Sequence, residues 1–198
     1  NPIISTTNAM PSTILPPAPS SPPHLGTTVK STTEGRWECY LPSATGQSHA
    51  SNLLRLKNGD LLCAWFGGTQ GIPDISTYMS RLPAGSDTWI PAEKLSNDNT
   101  RSEQNPVLFQ TPDGPLWLLY TSQQGGNQET AIVKRRISND NGHTWGPVDT
   151  LFPEPGTFIR SPMVVLRDGG WVIPTFKCRA EPGERWVGNE GCLDLIKA

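Results

Sequence analysis

The chain has 198 residues, a formal net charge of -2, seven Trp, 19 Gly and 20 Pro. So small a charge excludes the strongly basic face that nucleic acid or an anionic membrane surface requires, and no apolar run reaches the roughly 18 residues of a membrane-spanning helix. Abundant Gly and Pro, many aromatic residues and no long helical periodicity leave an all-β class of short strands and turns.

Residues 1–33 are rich in Pro, Ser and Thr, as in Leu15-Pro16-Pro17-Ala18-Pro19-Ser20-Ser21-Pro22-Pro23. With too little apolar surface to bury, they are expected to form a disordered arm. Trp37-Glu38-Cys39-Tyr40-Leu41 is the first predicted strand of a domain spanning 34–198. The apolar runs that follow come in pairs. Asn52-Leu53-Leu54-Arg55-Leu56 precedes the turn Lys57-Asn58-Gly59-Asp60 and the run Leu61 to Phe66. Asn105-Pro106-Val107-Leu108-Phe109 precedes Pro112-Asp113-Gly114-Pro115 and the run Leu116 to Tyr120. Ser161 to Leu166 precedes Asp168-Gly169-Gly170 and the run Trp171 to Phe176.

Gly59, Gly114 and Gly169 recur at intervals of 55 residues, and Trp89-Ile90-Pro91 recurs 56 residues later as Trp145-Gly146-Pro147. A period near 50 with four short strands in each is the mark of a β-propeller. Blade one is expected over about 48–95, blade two over about 104–152, and an unfinished blade three over about 160–198. Closed propellers hold four to eight blades, so an incomplete ring is expected. The strand at Trp37 then reads as the orphan of a last blade, which an N-terminal strand often completes.

Ser138-Asn139-Asp140-Asn141-Gly142-His143-Thr144-Trp145 fits the Asp-box pattern S-x-D-x-G-x-T-W. Asp140 can accept from backbone N–H groups across a hairpin turn, Gly142 can take positive φ, and Trp145 can bury itself. This spacing is turn chemistry, so Ser138, Asp140, Gly142, Thr144 and Trp145 are read as structural. Asp87-Thr88-Trp89 reads as a worn first copy. The cysteines Cys39, Cys63, Cys178 and Cys192 are too few for a disulfide framework and lack metal-ligand spacing; they read as buried free thiols, with three pairings open.

Strands of a blade alternate in direction, so the glycine turns and the Asp-box fall on one face of the ring. The starts of the inner strands fall on the other face near the axis: Gln47-Ser48-His49-Ala50, Arg101-Ser102-Glu103-Gln104 and Phe158-Ile159-Arg160-Ser161. The loops Gly67 to Asp74, Gln123 to Thr130 and Lys177 to Arg185 join them there. Polar residues at equivalent places in three repeats point to one central pocket.

The run His49-Ala50-Ser51-Asn52-Leu53-Leu54, with Asn58-Gly59-Asp60, Ala64-Trp65-Phe66-Gly67-Gly68 and the Asp-box, resembles the sialidase (BNR, Asp-box) superfamily. The similarity covers about residues 45–190 and points to its fungal and bacterial sialidase-like members. It implies a ring of about six blades, roughly three of them here, and hydrolysis of an acidic terminal sugar without cofactor or metal. An Asp general acid, a Tyr nucleophile assisted by Glu, and three Arg on the substrate carboxylate carry that chemistry, outside the usual two-carboxylate scheme.

Asp74 matches the acid by its loop. Gln70 stands where relatives often carry Glu and is expected among the substrate-binding residues. The family's Arg-Ile-Pro triplet is replaced by His49-Ala50-Ser51, so sialic acid itself is not assured as the sugar. The nucleophilic Tyr and two of the arginines would lie in later blades, and Tyr40, Tyr78 and Tyr120 do not match. The resemblance also implies an exported, extracellular protein.

His49 reads as a catalytic proton donor or acceptor, or as a histidine bonded to backbone. Arg160 offers a two-pronged donor for a carboxylate, or an ion-pair partner for Glu154 or Glu181. Asp74 is a general acid or a strand-capping residue, and Arg101, Glu103 and Gln104 are expected as substrate-binding rim residues. Of adjacent Arg135 and Arg136, at most one can face a given site.

Three functions follow: hydrolysis of an acidic sugar; a polysaccharide lyase in which His49 moves the proton α to a uronate carboxylate that Arg160 neutralises; and a non-catalytic glycan-binding propeller. An acidic carbohydrate is the expected partner, with no nucleic acid and no membrane. Little activity is expected of this chain alone, and self-association through open blade edges is expected.

Overall fold

The computed structural model describes residues 25–68 and 74–179 with their side chains, and residues 190–196 as backbone. Two short strands, β1 (Val29–Lys30) and β2 (Trp37–Glu38), pair first, and three antiparallel four-stranded sheets follow. Blade one holds β3 (Ser48–Arg55), β4 (Leu61–Gly67), β5 (Ser76–Leu82) and β6 (Glu93–Lys94) in sequence order. Blade two holds β7 (Ser102–Gln110), β8 (Leu116–Gln124), β9 (Asn127–Ser138) and β10 (Asp149–Phe152).

In blade three the inner strand is split into β11 (Thr157–Ile159) and β12 (Val164–Val165), both paired with β13 (Trp171–Lys177), which pairs in turn with β14 (Glu190–Ile196). The glycine turns take positive φ as their spacing requires, +95° at Gly59, +124° at Gly114 and +86° at Gly169. Sequential four-stranded sheets of this kind are an incomplete β-propeller.

Alternation along each strand sends every second side chain into an inter-blade core. Leu62, Ala64 and Met79 of blade one meet Leu108, Leu118 and Tyr120 of blade two. Val107, Phe109 and Leu119 meet Ile159, Trp171 and Ile173 of blade three. There Phe109 and Trp117 each set an edge against Trp171, at 5.3 and 5.4 Å between ring centroids.

Polar bonds also cross the seams. Asn52 Oδ1 accepts from the Leu108 amide at 3.0 Å, and Thr121 Oγ1 accepts from the Ile159 amide at 3.2 Å. Within blade two, Lys134 of the third strand donates to the fully buried Glu103 at 3.2 Å, and it also donates to Asp98, in the connection from blade one, at 2.8 Å.

The bonds from Lys134 and from Thr100 hold the Asp98 carboxyl down at about 2, against the opposing effect of burial. A folded-state value below the unfolded one stabilises above about pH 4, and that stability is lost as pH falls toward 2. Asp98→Asn is therefore expected to cost about 1–2 kcal/mol near neutral pH after allowance for partial exposure. Urea unfolding should show the gap to the parent closing near pH 2.

The arm expected to run through residue 33 is shorter where it can be judged. Residues 1–24 lie outside the described ones, but Leu25 already bridges Tyr40, and Val29 and Lys30 pair with Glu38 and Trp37. The Trp37–Leu41 stretch is likewise no bare orphan strand. Cys39 and Leu41 pack on the face of blade one away from blade two, against Cys63, Trp65 and Trp89. The worn Asp-box anchors them: Thr28 N donates to Asp87 O at 2.6 Å, Trp89 N to Gly26 O at 2.8 Å, and Trp89 Nε1 to Thr28 Oγ1 at 3.2 Å. An apolar sheet face left open demands cover, and the nearest chain supplies it.

Candidate functional site

One end of the blades carries the Asp-box and the glycine turns. Ser138 Oγ donates to Asp140 at 2.7 Å and accepts from the Gly142 amide at 2.7 Å. Asp140 accepts from the His143 and Thr144 amides, at 3.1 and 2.8 Å, and from the Thr144 hydroxyl at 2.5 Å. Led by the Thr144 hydroxyl, these bonds hold the Asp140 carboxyl far below the usual carboxylate range. Trp145 packs against the core between blades one and two.

Asn141, left-handed at φ +60°, turns its carbonyl to Arg81 of blade one at 2.6 Å and its side chain to Gln110 at 3.1 Å. A Cβ on Gly142 would meet Leu116 at 3.0 Å and Arg81 at 3.3 Å. The box is therefore a clamp between blades, with its carboxylate spent on the turn.

The opposite end gathers the starts of the inner strands. Ser48 pairs with Gly67 and Gly67 with Ser76, which brings His49 and the segment before β5 to one edge of blade one. Glu103 N donates to Ile75 O at 3.1 Å, so blade two starts beside the residue that follows Asp74. The Thr121–Ile159 bond seats Arg160 next in line. His49 and Asp74 of blade one and Arg160 of blade three thus lie at the same end of their sheets.

At this rim the inner strands share a feature that turn and strand patterns do not reveal. Each bulges after its first residues: the register shifts between His49 and Asn52, and again between Gln104 and Val107. Ala50 and Asn105, 55 positions apart, both sit at φ +50°. Asn tolerates this region but Ala pays for it, and such strain accumulates at functional sites. The Asn105-Pro106 pair was the available signal. In blade three residues 160–163 separate β11 from β12 at the matching place.

His49 is exposed, its ring stacked on Phe66 at 5.3 Å and 26°, and among the described residues no hydrogen bond or ion pair engages its nitrogens. Arg160 is exposed and is likewise unengaged; Glu154 does not pair with it, and Glu181 lies outside the described residues. Asp74 is exposed and has a partner of its own. After burial, its charge is the second influence raising the Tyr78 hydroxyl. Gln70 lies outside the described residues.

The expected rim residues of blade two are placed differently. Arg101 donates to the Ser122 hydroxyl at 3.0 Å and to the Ser122 and Thr130 carbonyls at 2.7 and 2.8 Å, stapling its own blade. Glu103 is buried on Lys134 and accepts from the Asp98 amide at 3.2 Å. Gln104 is buried and donates to Ser102 Oγ at 2.7 Å. Arg135 and Arg136 are also occupied: the first pairs with Asp149 over the Trp117 ring, and the second donates to the Leu95, Trp145 and Gly146 carbonyls. Tyr120 is fully buried. Among the described residues no group of three or more His, Cys, Asp and Glu side chains gathers to hold a metal ion. Among the described residues, His49 and Arg160 are exposed at this rim without a hydrogen-bond or ion-pair partner.

The sequence pattern of the BNR repeat-like domain family matches residues 59–189. Among solved structures the chain is similar to the Hadza microbial sialidase Hz136, with 14% identity and a TM-score of 0.58 over 74% of this chain and 38% of that one. It is similar to the intramolecular trans-sialidase from Ruminococcus gnavus at 11% identity and 0.58, over 74% and 60% of the two chains. The endo-arabinase from Bacteroides thetaiotaomicron gives 13% and 0.51, over 82% and 61%. These likenesses speak to fold. The chain spans between 38% and 61% of the length of these three structures. No curated protein matches it in sequence.

Proposed function

This chain belongs to the BNR repeat-like domain family, and on that premise we propose that its blades form one wall of a carbohydrate-active site that hydrolyses the glycosidic bond of an acidic terminal sugar. The observation that carries this reading is the contrast at the rim. Arg101, Glu103 and Gln104 are consumed by the fold, while His49 and Arg160 stand exposed and, among the described residues, unengaged at equivalent places in their blades. Fixing a long cationic side chain costs entropy, and an Arg left without a protein partner is suited to a planar anion. Arg160 binds the sugar carboxylate, Asp74 protonates the leaving oxygen, and His49 takes or gives a proton at the same edge. The Tyr nucleophile of the sialidase scheme belongs to blades other than these three.

One observation favours a second reading. The position where the family's triplet carries Arg holds an exposed imidazole propped on Phe66. A neutral imidazole can remove the proton α to a uronate carboxylate while Arg160 neutralises the developing charge, which is a lyase reaction. A glycan-binding propeller without catalysis is the third reading.

Product analysis separates them in a protein that joins these blades to the rest of the ring. Hydrolysis of a sialoside or of a uronate-terminated glycan adds water and creates a new reducing end. Elimination creates an unsaturated uronate that absorbs in the ultraviolet. Binding without either product leaves the third reading. Residues 1–198 alone are expected to turn over neither substrate, and robust turnover by them would remove the need for further blades.

A further inference from the structure

The ladder between β3 and β4 decides which way His49 looks. His49 stands opposite Phe66 and Asn52 opposite Ala64, so Ala50 and Ser51 together oppose the single residue Trp65. That is a β-bulge, one extra residue on one strand. Asn52 bonds the Leu108 amide of blade two, and Leu54, Leu62 and Ala64 pack in the core between blades one and two. His49 comes three positions before Asn52, and in an unbroken strand an odd separation puts two side chains on opposite faces. Ala50 would then oppose Phe66, and His49 would be carried to the face away from blade two. The extra residue reverses this: His49 lies on the face of Asn52, stacked on Phe66.

The same break recurs in the other blades. Gln104 opposes Thr121 and Val107 opposes Leu119, which leaves Asn105 and Pro106 against Tyr120. In blade three Ile159 opposes Thr175 and Val164 opposes Val172, so residues 160–163 stand against Ile173 and Pro174, and that interruption begins with Arg160. The use made of the bulge differs. In blade two the left-handed backbone falls on Asn105, a residue type that tolerates it, and the residue before it is buried and bonded to Ser102. In blade one it falls on Ala50, where a Cβ crowds the carbonyl. The residue before Ala50 is exposed and, among the described residues, unengaged. Strain kept where the aimed side chain makes no bond of its own points to a task for that side chain.

We propose that Ala50 is a positioning residue: its left-handed backbone holds the bulge, and the bulge turns the His49 imidazole to the side of blade one that looks toward blade two. The proposal rests on the reading of His49 as a proton donor or acceptor and deepens it by naming what sets the direction of the ring.

The test measures direction first, by NMR on residues 1–198. A nuclear Overhauser contact is expected between the His49 and Phe66 rings. Ala50→Asn and Ala50→Gly accept the left-handed region and should keep that contact. Ala50→Val cannot, because a β-branched residue at positive φ is a gross outlier, so the ladder should slip by one residue and the contact vanish. A folded valine variant that keeps the contact overturns the proposal, as does an asparagine variant that loses it. If the valine variant fails to fold, the parent decides: no contact between the two rings, or an Ala50 amide coupling typical of an extended strand, overturns the proposal.

Chemistry is measured second, in a ring-complete protein. Ala50→Val is expected to lower kcat by about 10²-fold, the cost of misplacing a catalytic group, with the Michaelis constant within about threefold of the parent. Ala50→Asn should run at the parent rate. A parent-like kcat in the valine variant, where His49→Ala is slow, overturns the positioning role. His49→Ala at the parent rate would instead sink the catalytic reading of His49 and leave the ring contact to judge the bulge.

Discussion

Replacing Arg81 with methionine is expected to lower the unfolding free energy by about 3–5 kcal/mol, the cost of removing one member of a buried ion pair. Arg81 and Asp60 are 5% and 8% exposed and meet at 2.6 Å. The Asp60 carboxylate also accepts from the Ala84 amide at 2.9 Å and from Asn58 at 3.0 Å. The second arm of Arg81 donates to the Asn141 carbonyl inside the Asp-box of the next blade. Methionine fills much of the space but leaves Asp60 charged and buried and the box carbonyl without its donor.

The pH dependence gives that prediction a sign. In the parent, burial raises the Asp60 carboxyl, but the Ala84 amide, Arg81 and Asn58 together win and lower it. Its stabilisation is therefore present above the unfolded value near pH 4 and is lost as pH falls through the folded one. Without Arg81 the raising effect of burial gains weight, so the variant's deficit is expected to shrink as the solution is acidified and Asp60 protonates. Urea titrations near neutral pH and near pH 4 measure this. A loss under about 1 kcal/mol at neutral pH would mean that the pair behaves as a surface bridge. Adding Asp60→Asn to the Arg81 variant should restore part of the loss, because no charge is then left stranded.

The second large effect concerns chemistry. In a ring-complete protein, His49→Ala is expected to reduce kcat by about 10²–10⁴-fold, the usual weight of one general acid or base. The Michaelis constant should change far less, because Arg160 holds the substrate carboxylate in the ground state. The ring is held but not spent: it stacks on Phe66 while, among the described residues, both nitrogens stay unengaged. His49→Phe separates support from proton transfer. It can keep the stack on Phe66 and should be as slow as the alanine variant. Added imidazole should restore part of the rate to His49→Ala, whose ring-sized space is empty, and none to the phenylalanine variant. A kcat within about threefold of the parent would assign His49 to binding only, well short of general acid–base catalysis.

Much of the architecture was legible because its causes are local. Gly59, Gly114 and Gly169 each take positive φ in a tight turn, and the runs around them alternate as paired strands must. Ser138, Asp140 and Thr144 bond one another within a single turn, so the Asp-box could be read as structure from its spacing. The rim was less legible. Arg101 and Glu103 look like ligand-binding residues in isolation, and their fates depend on Ser122, Thr130 and Lys134, more than twenty positions away in sequence or placed by a neighbouring strand. The order of residues 25–41 was not legible, because a weakly patterned segment acquires order from the apolar face it covers, here that of Trp65 and Trp89.

The sequence by itself determined that this is an all-β chain of repeated four-stranded units, since period, turn residues and alternation are local properties. Only the tertiary structure decided which polar side chains remain available. Burial and pairing come from what neighbouring strands of the same blade and the next blade bring to each side chain, and a donor engaged there is lost to a ligand. Among the described residues that selection left His49 and Arg160 unengaged on one rim and put Arg81 into the clamp on the other.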